Sequence, residues 1–483
     1  MNARPRAAAA LLGAACLLAP AAVSGQTGPA ARTSRAEDGR SHLAITVYNS
    51  NLGLVRETRR IELPAGVTEL RYMDVAAQIN PRTVHMASLT DPARLRVLEQ
   101  NYEYDLISPE KLMERFLGRT ITLVFGEGGE RPQPRQEQAK LVSTNGGMVY
   151  EIGGAFHVNP PARPVLPEIP GGLISAPTLV WLLRSDRAGE HRVETSYLTG
   201  GLTWSADYVA ILSGDDARLD LTGWVTLDNG SGASYHDAKL KLVAGDVHRA
   251  QPPPEAMAQQ RTLAMAADEK AFAEESFFEY HLYTLERPAT IKDRQTKQIQ
   301  LLEGTGVPVK KIFLLAGQPG FYRGRLGQLG TDRKVAVELE LANTKNNGLG
   351  MPLPGGIARL YKKDASGSLQ FIGEDLVKHT PEDEKVTLHV GDAFDVVADR
   401  TQTDFRAVSA GRYDAEVAFQ IRIRNHKDEP VTVTVREPVA GDWKILQASH
   451  PHAKLDAFTI EFQIPVAPSA EAVLEYRVAV DWR

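Results

Sequence analysis

Residues 204–232 decide the fold, and they read WSADYVAILSGDDARLDLTGWVTLDNGSG. Apolar and polar residues alternate on both sides of the turn SGDDA at residues 213–217. A period of two is typical of a strand with one buried face, and Gly, Asp and Ser between two such runs indicate a turn. The stretch therefore predicts two antiparallel β-strands.

The same pattern continues in both directions along the chain. It recurs at residues 43–63, 178–185, 192–198 and 238–245. Turn signals return about every eight to twelve residues, which is typical of stacked sheets. The sequence therefore predicts a mainly β protein built from several antiparallel β-sandwich modules.

The C-terminal residues show the alternation most clearly. Residues 415–446 place two strand-like runs around the polar turn NHKDEP, and residues 458–483 add two more. Val, Ile and Phe lie on one face of each run and charged residues on the other. This pattern fits an immunoglobulin-like sandwich.

One short helix is predicted near residues 108–118, SPEKLMERFLG. Ser108 is a suitable N-cap, Pro109 suits the first helical position, and Gly118 ends the helix. Ser108 and Lys111 also spell Ser-x-x-Lys, the nucleophile motif of penicillin-binding enzymes. The partner motifs Ser-Asp-Asn and Lys-Thr-Gly are absent from the sequence, so a capped helix is the favoured interpretation.

The N-terminus has the three parts of a secretory signal peptide. Arg4 and Arg6 precede an apolar run at residues 7–23, and small residues follow. The alternatives are a retained membrane anchor, disfavoured by Pro20, and a lipoprotein signal at Cys16. Cys16 is the single cysteine, so a cleaved chain would have no disulfide and no cysteine-based zinc site. No later segment is apolar enough to span a membrane. Periplasmic or secreted localisation is expected.

Composition shifts divide the chain into predicted domains. The Pro-rich stretch at residues 159–177 indicates a linker. The Ala-, Gln- and Met-rich stretch at residues 250–276 indicates a flexible or partly helical insertion. The predicted order is a signal peptide at 1–25, a flexible lead-in at 26–42, an N-terminal β domain with the helix at 43–158, a Pro-rich linker at 159–177, a central β domain at 178–404 with the insertion at 250–276, and a C-terminal immunoglobulin-like sandwich at 405–483.

Residues 343–363, NTKNNGLGMPLPGGIARLYKK, are glycine-rich and raise the question of a phosphate-binding loop. Such a loop needs free backbone N–H groups and a following helix. Pro352 and Pro354 lack that N–H, and IARLYKK has a strand pattern. The spacing also differs from that of a phosphate loop. A connection between two strands is therefore predicted, with no cofactor site.

Several long motifs resemble the bacterial family called domain of unknown function 4139. They include residues 347–406, which begin NGLGMPLPGGIARLYKK, and residues 197–212, YLTGGLTWSADYVAIL. The likeness runs from about residue 197 to the C-terminus, and residues 45–72 resemble the N-terminal β region found in such proteins and, in outline, in the mucoidy-inhibitor group. The resemblance implies a secreted, β-rich bacterial protein, and it implies no activity and no catalytic residue.

Some aromatic residues and histidines are of types that occur in binding or metal sites, but each also has a structural interpretation. Five aromatics could line a sugar-binding groove, but inward positions on strands favour the core: Trp181, Trp204, Trp224, Tyr197 and Tyr208. His450 and His452 form the only close histidine pair and have no third ligand nearby, so no metal site is predicted.

The acidic candidates are equally weak as catalytic groups. Residues 379–385, HTPEDEK, are expected at a solvated turn, and Glu374 and Asp375 are adjacent, so they would point to opposite faces of a strand. Catalytic residues stay unassigned, and no cofactor is predicted.

Composition limits the function classes. A formal net charge of −5 and the lack of a basic run argue against nucleic-acid binding. Two hypotheses remain. The first is a non-enzymatic envelope protein that binds or organises a polysaccharide or protein. The second is an exported hydrolase of polysaccharide or peptide with a site built from loops. The oligomeric state is open.

Overall fold

The chain folds almost entirely into β-strands. The computed structural model describes residues 30–36, 38–126, 135–171, 173–245, 272–277, 280–408, 414–439 and 441–482. The predicted mainly β class is confirmed, and the one α-helix of the described residues is α1 (Pro109–Arg115). No helix in these ranges has the length and hydropathy that a membrane span requires. The predicted signal peptide, Cys16 and residues 250–271 lie outside the described residues.

The strands of the described residues form four sheets. In chain order they are β1 (Ala30–Ser34), β2 (Arg40–Tyr48), β3 (Leu52–Leu63), β4 (Gly66–Met73), β5 (His85–Ser88), β6 (Leu95–Glu103), β7 (Thr120–Phe125), β8 (Arg135–Ser143), β9 (Val149–Ile152), β10 (Ala155–Val158), β11 (Ala162–Val165), β12 (Thr178–Ser185), β13 (Gly189–Thr199), β14 (Leu202–Leu212), β15 (Arg218–Asn229), β16 (Tyr235–Ala244), β17 (Phe272–Phe277), β18 (Tyr280–Leu285), β19 (Ala289–Ile291), β20 (Gln295–Ala316), β21 (Gln328–Ala342), β22 (Gly356–Lys363), β23 (Leu369–Val377), β24 (Lys385–Ala407), β25 (Ala415–Asn425), β26 (Val431–Pro438), β27 (Asp442–Ala448), β28 (His452–Asp456), β29 (Thr459–Val466) and β30 (Ala470–Asp481).

A sandwich occupies the N-terminal part of the fold. A four-stranded sheet, in the order β1-β4-β12-β6, packs on an eight-stranded sheet whose main path is β17-β18-β16-β2-β3-β13-β5. Leu70 and Trp181 from the first sheet share one core with Val55, Ile61 and Val193 from the second. The alternation read from the sequence places these residues inward, because side chains of a strand point to opposite faces in turn.

The opening stretch forms two neighbouring strands of the largest sheet. β14 pairs antiparallel with β15, as predicted, and parallel with β22. The sheet curls until β23 returns to β24, where the Asp375 carboxylate accepts a hydrogen bond from the His389 amide at 2.7 Å. The side chains inside this curl belong to the same core as the N-terminal sandwich. Three further strand pairs among the described residues are also parallel: β1–β4, β2–β16 and β20–β26.

A second large core lies in the C-terminal sandwich. β21, β24, β25, β30 and β27 form one layer, and β20, β26, β29 and β28 form the other. The core includes Leu315, Tyr322 and Val335, so it begins well before the predicted boundary at residue 405. The long strands β20, β21 and β24 contribute residues to both cores, because each spans two modules. The immunoglobulin-like character of this sandwich stays a prediction.

A small satellite sheet carries the helix. Its order is β10-β9-β8-β7-β11, and Met113 and Phe116 of the helical segment pack on Leu123 and Leu141. Ser108 caps α1 by accepting a hydrogen bond from the Lys111 amide at 3.2 Å. The predicted helix is therefore confirmed, although it ends at Arg115, three residues before Gly118.

The predicted boundary at residues 159–177 does not separate two sheets. β4 pairs with β12, and β3 pairs with β13, so residues on either side of this boundary lie side by side. β11, within the predicted linker, is an edge strand paired with β7. Prolines indicate breaks in local structure, but an edge strand tolerates a missing N–H, so the Pro-rich composition was compatible with pairing.

Two segments predicted as flexible contain paired strands. β1 falls in the lead-in at residues 26–42 and pairs in parallel with β4. β17 falls at the end of the insertion at residues 250–276 and pairs with β18. Backbone pairing at a sheet edge needs no apolar run of its own, so composition did not indicate these strands.

The glycine-rich segment is a core-packed connection between β21 and β22, as predicted. Asn343 is buried, and its amide donates to the carbonyls of Met351 and Pro381 at 2.8 and 2.9 Å. Gly348 and Gly350 have positive φ angles of 76° and 87°, which favour glycine. Hydrogen bonds from the Asn343 side chain hold the segment in place, and the strand β22 follows it.

Candidate functional site

An open groove lies where the N-terminal sandwich meets the turns at its end. Its volume is about 720 Å³. The residues after β1, the start of β2, the turn after β4 and the start of β16 form its walls. Most of its polar side chains are charged or titratable: Arg35, Arg40, His42, Asp74, His236 and Asp237.

Two acidic residues shape the rim. Asp74 and Asp237 have positive φ angles of 62° and 51°, a conformation that Asp tolerates better than most residues. The Asp74 carboxylate accepts a hydrogen bond from the Ala36 amide at 3.0 Å. The Asp237 amide donates to the Thr290 hydroxyl at 3.2 Å, and that hydroxyl lies 3.4 Å from the Asp237 carboxylate. Asp74 therefore holds the segment after β1 to the turn after β4, and Asp237 holds the start of β16 to β19.

Arg40 is fixed from below by a buried carboxylate. Its Nε donates to Glu57 Oε2 at 2.9 Å, and the two side chains are 16% and 2% exposed. The pairing of β2 with β3 shifts register between Arg40 and His42. Such a bulge re-aims a side chain, so Arg40 reaches both the groove and the interior.

A second arginine lies under the groove. Arg59 is fully buried and donates to Glu57 Oε1 at 2.7 Å. Its Nη1 also donates to the carbonyls of Ser34 and Met73 at 3.1 and 3.0 Å, and its guanidinium lies 3.6 Å from the centre of the Tyr72 ring. Burial raises the pKa of Tyr72 well above its ordinary value, with Glu57 adding to the rise, so the hydroxyl stays protonated. Arg59 thereby ties β1 and β4 to β3.

A buried Ser-His-Ser cluster lies elsewhere in the same sandwich. Ser88 Oγ is 3.1 Å from His191 Nδ1, and Ser185 Oγ is 3.3 Å from His191 Nε2. The Ser185 hydroxyl donates to the Arg187 carbonyl, so it accepts from Nε2–H, and Nδ1 accepts from Ser88. All three residues are buried, so this arrangement of a histidine between two hydroxyls serves packing and is closed to a substrate.

The buried histidine predicts an acid-sensitive fold. Burial lowers the pKa of His191, with Arg187 adding to the decrease, below its ordinary value of 6.5. The unfolded chain then binds a proton more readily than the native chain. Stability from this group is therefore complete above pH 6.5 and is lost as the pH falls below it. We expect melting temperatures measured between pH 7.5 and 5.5 to fall less steeply for His191→Gln than for the wild type.

A matched substitution at the surface controls for general acid effects. His157 lies exposed on β10, and His157→Gln should keep the wild-type pH dependence. Equal slopes for the wild type and His191→Gln would contradict the assigned neutral state of His191.

The predicted aromatic residues lie mainly in the core. Trp181, Trp204, Tyr197 and Tyr208 are each at most 4% exposed, and Trp224 is half-buried. Trp181 Nε1 donates to Gln100 at 2.9 Å, and the Trp204 ring nitrogen donates to the Val243 carbonyl at 3.2 Å. The core interpretation of these four is confirmed, and none of the five lines the groove.

The other sequence candidates lie apart from one another. Lys111 pairs with Asp105, and Glu374 pairs with Arg359. His379 accepts a hydrogen bond from the Gly355 amide at 3.1 Å. The two histidines of the C-terminal sandwich also differ in setting: His450 contacts Ser449, and the His452 ring packs near Phe462. Within the described ranges, no group of three or more His, Cys, Asp or Glu residues could hold a metal ion.

Sequence reasoning missed the groove and the charges beneath it. A signal was present in GLVRETRRIEL, because Glu57 and Arg59 share the strand face of Val55 and Ile61, which are buried. Charged residues at inward positions need a partner, and they indicate a buried polar site. The rim residues gave no signal, since they come from strand starts and turns that are distant from one another in the sequence.

Neither the models of protein families nor the curated proteins give a match to this chain. The resemblance described from the sequence therefore stays a prediction.

Proposed function

We propose that this protein is an exported, non-enzymatic component of a bacterial cell envelope that binds a polysaccharide or protein of the envelope in the groove. The observation that carries the proposal is Arg40, which lines the groove while its Nε is bound to the buried Glu57. A side chain fixed before binding loses little entropy when a ligand arrives, so such a residue favours recognition. Export is supported by the signal-like residues 1–25 and by the family resemblance.

The architecture also suits a binding role. β20 and β24 are 22 and 23 residues long, and each runs through both large cores. Strands shared in this way join the core of the N-terminal sandwich to that of the C-terminal sandwich through continuous backbone. A rigid support of this kind can hold an envelope ligand at a defined distance from a second contact.

The hydrolase alternative has a place in the same groove. Asp74, Asp237, His42 and His236 are residue types that act as general acids or bases. Against this role, both aspartates already hold neighbouring segments of the chain together through their hydrogen bonds. Turnover of an envelope polymer that is lost in Asp237→Asn, with the fold intact, would favour the hydrolase and contradict the non-enzymatic proposal.

The binding proposal is tested by filling the groove without removing a charge. Ser41 is exposed at the groove, and Ser41→Trp adds bulk there. We expect the wild-type protein to capture an envelope component in a pull-down and Ser41→Trp to lose it. Ser205→Trp is the matched control, since Ser205 is exposed on β14 away from the groove. Capture by Ser41→Trp equal to that by the wild type would overturn the proposal.

A further inference from the structure

We propose that the groove binds hydroxyl-rich polymers through an anionic group, a carboxylate or a phosphate, and that Arg40 is the residue that contacts this group. The inference rests on the binding function proposed above and assigns its ligand class. Three properties of the site carry it: the charge count under the groove, the unused donors of Arg40, and the acceptors on the rim.

The buried charges below the groove do not cancel. Arg40 and Arg59 share a single carboxylate, Glu57, and among the described residues no other acidic side chain lies within 4.0 Å of either guanidinium. Among the described residues, one positive charge of this cluster is therefore uncompensated. Charges in the interior are screened less than charges in water, so this excess acts on a ligand at the groove floor more strongly than the exposed rim charges do.

The Arg40 side chain has hydrogen-bond donors that no described residue uses. A guanidinium carries five N–H groups, and Glu57 takes the one on Nε. The two terminal nitrogens make no hydrogen bond with the described residues, and the side chain lines the groove. The planar fork of two terminal N–H groups matches the paired oxygens of a carboxylate or phosphate. Glu57 acts as a positioning residue, because it fixes the direction in which this fork points.

The rim favours hydroxyl groups beside the anion. Asp74 and Asp237 are acceptors, while Arg35, His42 and His236 provide donors on the same groove. Sugar hydroxyls donate and accept hydrogen bonds, so they can satisfy such a mixed rim. An apolar anion offers no hydroxyl donors to the remaining lone pairs of these carboxylates. The ligand class is therefore an acidic saccharide or a phosphate-linked polyol.

The test measures binding of three soluble probes to the full chain by calorimetry. The probes are polygalacturonate, which carries carboxylates, a glycerol phosphate polymer, which carries phosphates, and dextran, which carries neither. We expect binding to one or both charged probes and none to dextran. Whichever charged probe binds more tightly identifies the source of the anionic group. The affinity should decrease when the salt concentration is raised from about 0.02 M to about 0.2 M, because the contact is electrostatic.

Variants assign the contact to Arg40. We expect Arg40→Gln to weaken binding of the charged probe by about tenfold or more, the effect of losing a charge-assisted contact. Arg40→Lys keeps the charge beside Glu57 and should give an intermediate loss, because it lacks the fork. Arg96→Gln is the matched control, since Arg96 is exposed on the edge strand β6, and it should bind like the wild type.

The outcomes separate this inference from the proposed function. Folded Arg40→Gln and Arg40→Lys variants that bind the charged probes as tightly as the wild type would overturn the inference. Dextran binding that equals polygalacturonate binding would also overturn it. If Ser41→Trp still abolishes capture of the envelope component in either case, the binding function stands and only the anionic class is wrong.

Discussion

Replacing Glu437 with glutamine is expected to lower the free energy of unfolding of the C-terminal sandwich by about 3–5 kcal/mol. Glu437 is fully buried and accepts a hydrogen bond from Arg400, which is 1% exposed. The Tyr322 hydroxyl donates to the other carboxylate oxygen at 2.9 Å. A neutral amide leaves the Arg400 charge in the core without a counterion, and the interior cannot supply the water that would stabilise it.

The surroundings of Glu437 cannot rearrange to compensate for the lost charge. A Cβ on Gly317 would lie 2.1 Å from Glu437 Oε2, so the backbone already approaches the carboxylate closely. Burial raises the pKa of Tyr322 and of Tyr476 well above their ordinary values, so neither can become a phenolate that replaces the lost charge. Relaxation around the substituted amide is therefore expected to be small.

Urea denaturation followed by tryptophan fluorescence measures this loss, since Trp443 lies in the same core. Glu429→Gln is the control, because Glu429 is 66% exposed in its pair with Lys427 and should change the free energy of unfolding by less than about 0.5 kcal/mol. The double variant Arg400→Met, Glu437→Leu should recover most of the loss, because it removes both charges. A loss below about 1 kcal/mol in Glu437→Gln would contradict the buried ion pair.

Replacing Glu57 with glutamine is expected to cost about 3 kcal/mol and to release Arg40 into the groove. Among the described residues, Glu57 is the only carboxylate within 4.0 Å of the Arg40 and Arg59 guanidiniums. Arg40 can turn toward water, but Arg59 is fully buried and cannot. The loss should therefore be smaller than that in Glu437→Gln if Arg59 keeps its bonds to the Ser34 and Met73 carbonyls.

Thermal unfolding of Glu57→Gln and Glu62→Gln separates the buried role from a general charge effect. Glu62 lies exposed on the same strand, so Glu62→Gln should stay within about 0.5 kcal/mol of the wild type. The double variant Glu57→Gln, Arg59→Met should be more stable than Glu57→Gln alone. If Glu57→Gln has the same melting temperature as the wild type, the charge excess under the groove is absent and the anion-binding inference loses its first support.

The local sequence also indicates the buried charges of the C-terminal sandwich. Arg400 follows Val396 and Ala398 at a period of two, and Glu437 follows Val433 and Val435 in the same way. Each therefore sits at an inward position of its strand, as Glu57 and Arg59 do on β3. The alternation along one strand cannot show which charge a buried residue pairs with. Arg400 and Glu437 are 37 residues apart, and they meet only because β24 and β26 face each other across the sandwich.

The sequence by itself determined the strands with clear alternation, the turns between them, the capped helix and the choice of core aromatics. Each of these depends on residues within a few positions of one another, where steric preference and alternation act. Only the tertiary structure decided which strands are neighbours, where the cores divide and which residues form the groove. β4 lies beside β12 and β14 beside β22 because distant segments bury their apolar faces together, and this choice depends on all surfaces at once. The site shares that origin, since its walls come from strand starts and turns that sheet packing brings together.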